Sequence, residues 1–198
     1  MWVIQPIPGV PLRKKLLLMT ILLIALIVLA GLIVFFLTVA IFLKKEYTVE
    51  REIVIKKPKK IVFDYVKLIK NQTSYNKWTM IDPNSKIEYH GTDGTVGFVG
   101  TWESGNKQVG KGEQELTKVE EGQRIELKLH FIKPIESTSA SYMVTESVSA
   151  DETRLKWGFN GKMKYPMNAM ILIMNLPEML GKDLDVSLGN LKTILEKQ

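Results

Sequence analysis

The chain has 198 residues, 45% apolar and 24% charged, enough for one ordinary folded domain plus an appendage and too apolar for a disordered chain. Its formal charge of +6 is local: Arg13, Lys14, Lys15, Lys44 and Lys45 are five of the 27 basic residues, and from Glu46 onward 22 Lys and Arg meet 21 Asp and Glu. That near-neutral remainder excludes a general nucleic-acid binder, and the absence of cysteine excludes disulfides, thiol nucleophiles and thiolate metal ligation.

Residues 1–15 form a short basic tail. Residues 16–43, LLLMTILLIALIVLAGLIVFFLTVAIFL, carry no charge. At about 1.5 Å per residue this stretch reaches roughly 42 Å as a helix, more than the roughly 30 Å of a bilayer's hydrocarbon core. It is read as a single transmembrane helix, making the bilayer one partner and the chain a single-pass membrane protein. A cleaved signal peptide with Thr38-Val39-Ala40 at its site is the competing reading, but its apolar region would run only about 7 to 15 residues. Basic residues flank the segment on both sides, so charge leaves the side of the membrane open. Asn71-Gln72-Thr73 fits a glycosylation acceptor, which matters only in a eukaryotic lumen.

The domain expected over residues 46–198 opens with EYTVEREIVI. Here Tyr47, Val49, Arg51, Ile53 and Ile55 alternate against Thr48, Glu50, Glu52 and Val54, the period of a strand with one apolar face. Pro58 then suits a helix's first turn, and Val62, Tyr65, Val66 and Ile69 recur at helical spacing, leaving the lysines on the wet side. NQTSYNKW reads as a second short helix or turn ending at Trp78, and DPNS as a turn. From Lys86 to Met163 the pattern is strands joined by Gly and acidic turns: Lys86–His90, Val96–Glu103, Gly110–Val119, Arg124–Ile132, Thr138–Ser149 and Thr153–Met163. With no helix between them they predict an antiparallel meander. Past Pro166, MNAMILIMNL (167–176) is apolar but too short to span a bilayer, and is expected to pack over the domain's open end. Leu180, Leu184, Leu188, Leu191 and Leu195 then predict a long helix with one apolar stripe, opened by Pro177 and Glu178.

That element order, with the stretches VEREIVIKKPKKIVFDYVKLIKNQTSYNKW, GTVGFVGTW, VGKGEQELTKVEEGQRIELKLHF and MLGKDLDVSLGNLKTIL, resembles the START-like helix-grip superfamily, also called SRPBCC, and within it the polyketide cyclase/dehydrase-like branch. The resemblance spans about residues 46–197. It implies an α+β helix-grip fold, a curved antiparallel seven-stranded sheet around a long C-terminal helix, preceded here by the transmembrane helix. It also implies a deep, largely apolar cavity between sheet and helix. The superfamily includes lipid-transfer proteins, hormone and metabolite binders, and aromatase/cyclases, so fold alone does not fix activity.

Two other motifs carry little chemistry. GNKQVGK (105–111) has phosphate-loop spacing, but Gly112 stands where a Ser or Thr belongs and no helix follows, so it reads as a hairpin turn. The two histidines, His90 and His130, are expected at the surface. Without cysteine they are too few for a zinc site, and neither metal nor cofactor is expected. Glu103, Glu113 and Glu115 fall close together across a hairpin. With Tyr142 they are the only candidates for acid/base work if they point inward, although carboxylates on a one-sided sheet are more often solvated. Trp78, Trp102, Tyr142, Trp157, Phe159, Met163, Met170, Met174, Met179 and Leu184 are expected around the cavity, rigid aromatics and soft methionines suiting an apolar ligand.

Three functions follow. The first is a membrane-anchored, non-catalytic binder of a hydrophobic small molecule, lipid, polyketide-like or isoprenoid-like. The second is a cyclase or dehydratase acting on a bound hydrophobic intermediate. The third is a protein-interaction or stress-response module whose cavity is collapsed.

Overall fold

The structure, a computed structural model, describes residues 12–198. The chain divides into two compact units, one ending at Leu43 and one running from Lys44 to Gln198. The first unit is helix α1 (Leu12–Phe42). Within it Leu16–Phe42, 27 residues with mean hydropathy 3.2, is long and apolar enough to cross a membrane, as a signal sequence also can be, and most of its large apolar side chains are exposed. The hydroxyls of Thr20 and Thr38 donate back to the carbonyls of Leu16 and Val34 at 2.9 and 2.8 Å. Both side-chain donors inside the span are therefore satisfied by the helix itself.

The second unit begins with β1 (Glu46–Ile55), α2 (Lys59–Lys67), a 3-10 turn (Ile69–Asn71) and two single-turn helices, α3 (Gln72–Tyr75) and α4 (Lys77–Met80). Six strands follow: β2 (Lys86–His90), β3 (Val99–Glu103), β4 (Lys111–Glu120), β5 (Arg124–Lys133), β6 (Ser137–Ser147) and β7 (Thr153–Lys162). Helices α5 (Ala169–Ile173) and α6 (Leu176–Lys197) close the chain. All seven strands form one antiparallel sheet in the order β1-β7-β6-β5-β4-β3-β2, the expected meander with the first strand returned to the last.

The alternation of each strand decides what lies beneath α6. Val49 and Ile55 of β1, Leu116 of β4, Ile125 and Leu127 of β5, Met143 of β6 and Leu155 and Trp157 of β7 are buried. They meet Leu184, Leu188, Leu191 and Leu195 of α6, all at most 1% exposed. Helix α2 adds Val62, Phe63 and Val66. The core cluster draws only on residues from Val49 to Leu195, so this unit carries its own core, the mark of a domain able to fold alone.

Two local departures from the sequence pattern have physical causes. Arg51 sits on the inward side of β1 among apolar residues. Its guanidinium reaches out to Glu178 (3.5 Å) and Asp185 (3.2 Å) on α6, so it ties the edge strand to the helix. The third strand starts at Val99 rather than Val96, because Thr95 and Phe98 close turns on Thr92 and Thr95 and Gly97 takes a positive φ of 89°. The Asn71 of the glycosylation tripeptide gives its side-chain nitrogen to the Tyr65 carbonyl at 2.9 Å, so in the folded domain that nitrogen is occupied.

Candidate functional site

A cavity of about 760 Å³ opens between the sheet and α6 at the end of the domain where β1 begins and β7 ends. Small-molecule sites typically occupy roughly 300–1,000 Å³. The sheet supplies its floor through Leu127, Leu129 and Phe131 of β5 and Trp157 and Phe159 of β7. Leu176, Leu180 and Leu184 of α6 form the roof, and Gln72, Asn76, Trp78 and Thr79 of α3 and α4 form one side.

Glycines on the inward side of the sheet keep this end from filling. A Cβ at Gly161 would run into the Tyr47 ring, and one at Gly112 would meet both the Trp102 ring and the His130 carbonyl. Each ring therefore lies down over a residue with no side chain instead of standing up into the space above. Tyr47 stacks on Phe159 with centroids 6.3 Å apart, and Trp102 meets Phe131 edge-on at 5.8 Å. The Trp102 indole N–H donates to the Val109 carbonyl at 3.2 Å, which fixes its tilt.

The side wall is braced. Asn76 caps α4 by accepting the Trp78 N–H at 3.1 Å, and its amide donates to Gln72 Oε1 at 3.4 Å. Lys77 pairs with Asp183 of α6, and its backbone N–H donates to Ser187 Oγ at 3.0 Å. On the sheet side the Trp157 indole N–H donates to Ser141 Oγ at 2.9 Å, and Ser141 donates in turn to the Gly158 carbonyl at 2.9 Å. These bonds hold the aromatic walls in place before any ligand arrives.

Of the residues expected around the cavity, the structure brings together Trp78, Trp102, Trp157, Phe159, Met163 and Leu184. It sets four apart. Tyr142 belongs to the outer face of β6, opposite in phase to Ser141 and Met143. Its ring covers Gly158, the Arg124 guanidinium lies over it at 4.3 Å, and its hydroxyl donates to Glu50 at 2.5 Å. That hydrogen bond to Glu50, with burial, raises its pKa. Met174 and Met179 are 48% and 40% exposed, and Met170 is half-buried away from the lining. On α6 the inward stripe is Leu176, Leu180 and Leu184, so Met179 points to the other side.

The carboxylates fall outside as well. Glu113 pairs across the sheet with Thr101 and Glu115 with Val99, and both alternate with the inward Gln114. Glu103 is exposed at the end of β3, bound by Lys111 at 2.8 Å, and that ammonium holds its carboxyl below the usual range. His130 lies on the same outer face, 3.4 Å from Glu113 and 3.5 Å from Glu136, while His90 is exposed. None of the four candidate acid/base residues touches the cavity. The titratable groups that line it are Tyr47, whose phenol is pushed up by burial, and Lys133, Glu136, Lys162 and Lys164, exposed where it opens to solvent.

Sequence reasoning missed Tyr47, Gln72, Asn76, Gln114, Leu129, Phe131, Ser139, Ser141 and Leu180 as lining residues. Period-two alternation was the available signal for the strand members, since Gln114, Ser139 and Ser141 sit in phase with Leu116 and Met143.

No family model matches the chain, and no curated protein sequence matches it. Solved structures do. Norcoclaurine synthase of Thalictrum flavum, solved as a point mutant in complex with a transition-state analogue, superposes with a TM-score of 0.58 at 10% identity, over 77% of this chain and 95% of that one. A protein of Mesorhizobium loti gives 0.56 at 14% identity, over 77% and 98%. Ara h 8.0201 gives 0.52 at 11%, over 77% and 99%. The fold is the helix grip. At these identities the likeness establishes architecture and leaves the activity to the site itself.

Proposed function

We propose that this chain is a membrane-anchored protein whose helix-grip domain binds a hydrophobic small molecule, of lipid, polyketide or isoprenoid type, without transforming it. The observation that carries the reading is the cavity of about 760 Å³ walled by Trp78, Trp102, Phe131, Trp157 and Phe159. A collapsed-cavity interaction module calls for a filled space there. A cyclase or dehydratase calls for an inward group that moves a proton; Glu103, Glu113, Glu115 and Tyr142 all face away, and the Tyr47 phenol that does line the cavity is pushed up by burial, which favours its neutral form. The fold neighbours include norcoclaurine synthase in complex with dopamine and hydroxybenzaldehyde, a small-molecule precedent for the fold. Leu16–Phe42 supports the anchor, which would keep the cavity near the phase in which apolar ligands partition.

Native mass spectrometry with solvent extraction tests the binding reading on the Glu46–Gln198 domain purified from its own host's extract. A stoichiometric apolar adduct is expected. A folded domain that arrives empty and takes up nothing from a panel of lipids, polyketides and isoprenoids contradicts it. The anchor is tested on the full chain by alkaline extraction of membranes and N-terminal sequencing: retention in the pellet with residues 16–43 intact is expected, and cleavage after Ala40 contradicts it.

A further inference from the structure

The cavity is apolar in its aromatic walls but not throughout. Gln72 is 3% exposed and Ser139 9%, and both line it. Gln114 joins them from β4, where it is paired with Leu129, which is itself paired with Ser139 on β6. Gln114 and Ser139 thus stand on the floor, and Gln72 on the α3 side.

The hydrogen bonds within the domain leave these groups unspent. Gln72 uses its Oε1 to accept from Asn76, which leaves the two N–H donors of its amide nitrogen. Among the described residues, the Gln114 amide and the Ser139 hydroxyl have no hydrogen-bond partner. Ser141, by contrast, is used up between Trp157 and Gly158. A purely hydrocarbon ligand would cover these donors without satisfying them, at a cost in affinity. A charged head carried inward would meet no opposite charge, since the charged lining residues Lys133, Glu136, Lys162 and Lys164 are all exposed. A carboxylate left outside beside those lysines would put a bare alkyl tail against the inner amides. The unpartnered donors of these groups are therefore matched by an uncharged molecule with a hydrogen-bond acceptor within its apolar body, while the Gln114 and Ser139 oxygens, acceptors themselves, further disfavour an anion.

Resting on the binding reading above, we propose that the cavity selects neutral, carbonyl-bearing apolar ligands, esters or ketones, and that Gln72, Gln114 and Ser139 form the specificity-determining subsite that receives the carbonyl oxygen. Free carboxylates of the same chain length are discriminated against because the subsite offers neutral donors and no cation.

The test uses the Glu46–Gln198 domain and displacement of the fluorescent hydrocarbon 1,6-diphenylhexatriene by methyl dodecanoate, 2-tridecanone, dodecanoate and tridecane at pH 8. At least one of the two neutral carbonyl probes is expected to bind about tenfold more tightly than both dodecanoate and tridecane, and which of the two is tighter names the class. In Gln114→Leu and in Gln72→Leu/Gln114→Leu that advantage over tridecane is expected to fall by about three- to tenfold per glutamine. Tridecane binding should hold or tighten in these variants, because leucine removes the donors that a hydrocarbon covers without satisfying. Gln114→Leu serves on its own if the double variant misfolds, because Gln114 holds no other group in place. Tight binding of dodecanoate, or a carbonyl preference that survives in Gln114→Leu, overturns the proposal while leaving the cavity reading intact. Failure of diphenylhexatriene itself to bind overturns both.

Discussion

The two ends of this domain use the same strands and the same helix to opposite effect. Near Ile55 the inward positions carry Ile125, Met143 and Leu155 beneath Leu188, Leu191 and Leu195, and the space is full. Near Tyr47 the same positions along β4, β6 and β7 carry Gly112, Gln114, Ser139 and Gly161, and the space beneath Leu176 and Leu180 stays open. Sheet and helix do not close over Gly112, Ser139 and Gly161, and the Trp102 and Tyr47 rings that would fill the gap lie flat over the two glycines. In one sandwich, then, side-chain volume along each strand separates a filled core from an open cavity.

That division is broken most sharply by truncating one leucine at each end. Leu191→Ala, in the filled end, is expected to cost about 2–5 kcal/mol of unfolding free energy in a denaturant titration. Leu180→Ala, on the cavity roof, only enlarges a space already present, so it should cost less than about 1.5 kcal/mol while weakening ligand binding. Equal losses would mean the two ends are not different in kind.

A matched pair of glycine substitutions sharpens the point at smaller effect. Gly161→Ala and Gly158→Ala each drive a Cβ into a tyrosine ring, Tyr47 inside the cavity and Tyr142 outside it. Both should lower stability by about 1–3 kcal/mol. Only Gly161→Ala should also weaken apolar-probe binding, by about tenfold as the Tyr47 ring is forced into the ligand's space, while Gly158→Ala should bind as wild type does.

The smallest effect belongs to the filled end and depends on pH. Glu196 accepts the Lys56 N–H at 2.7 Å and lies 3.6 Å from Lys192. The backbone hydrogen bond, with that ammonium's help, holds its carboxyl below the ordinary 4.5. A depressed folded-state pKa means the contribution is complete above the unfolded value and is lost as pH falls through the folded one. The melting-temperature gap between wild type and Glu196→Gln should therefore be present near pH 7 and shrink as pH falls below 4.5. A gap that widens on acidification would contradict the assignment.

Much of the architecture was legible in the sequence. The meander from β2 to β7 followed from alternation and turn residues, and β1, β2, β5 and β7 began where the pattern placed them, whereas the pairing of β1 with β7 was not in the pattern. Six of the ten residues expected around the cavity line it, five of them large aromatics or a leucine, Trp78, Trp102, Trp157, Phe159 and Leu184, with Met163 the sixth. Met170 and Met174 failed for a specific reason. Residues 167–176 are almost uniformly apolar, so there is no periodicity to give the phase, and softness was a poor substitute for direction. Tyr142 was misplaced by its aromatic identity, although its register between Ser141 and Met143 puts it on the other face. The small inward residues Gly112, Ser139 and Gly161, which make the cavity, look in sequence like weak points in a strand. Their role becomes readable only once Trp102 and Tyr47 are seen lying across the glycines.

The most direct measurement follows from where the tryptophans are. The Glu46–Gln198 domain contains Trp78, Trp102 and Trp157, and all three line the cavity. In a two-dimensional NMR titration of the ¹⁵N-labelled domain with methyl dodecanoate, all three indole N–H signals should shift together and saturate, while the backbone amides of Leu155, Leu191 and Leu195 stay put. Unmoved indoles, or shifts spread equally over both ends, would contradict the claim that the open end is the ligand site.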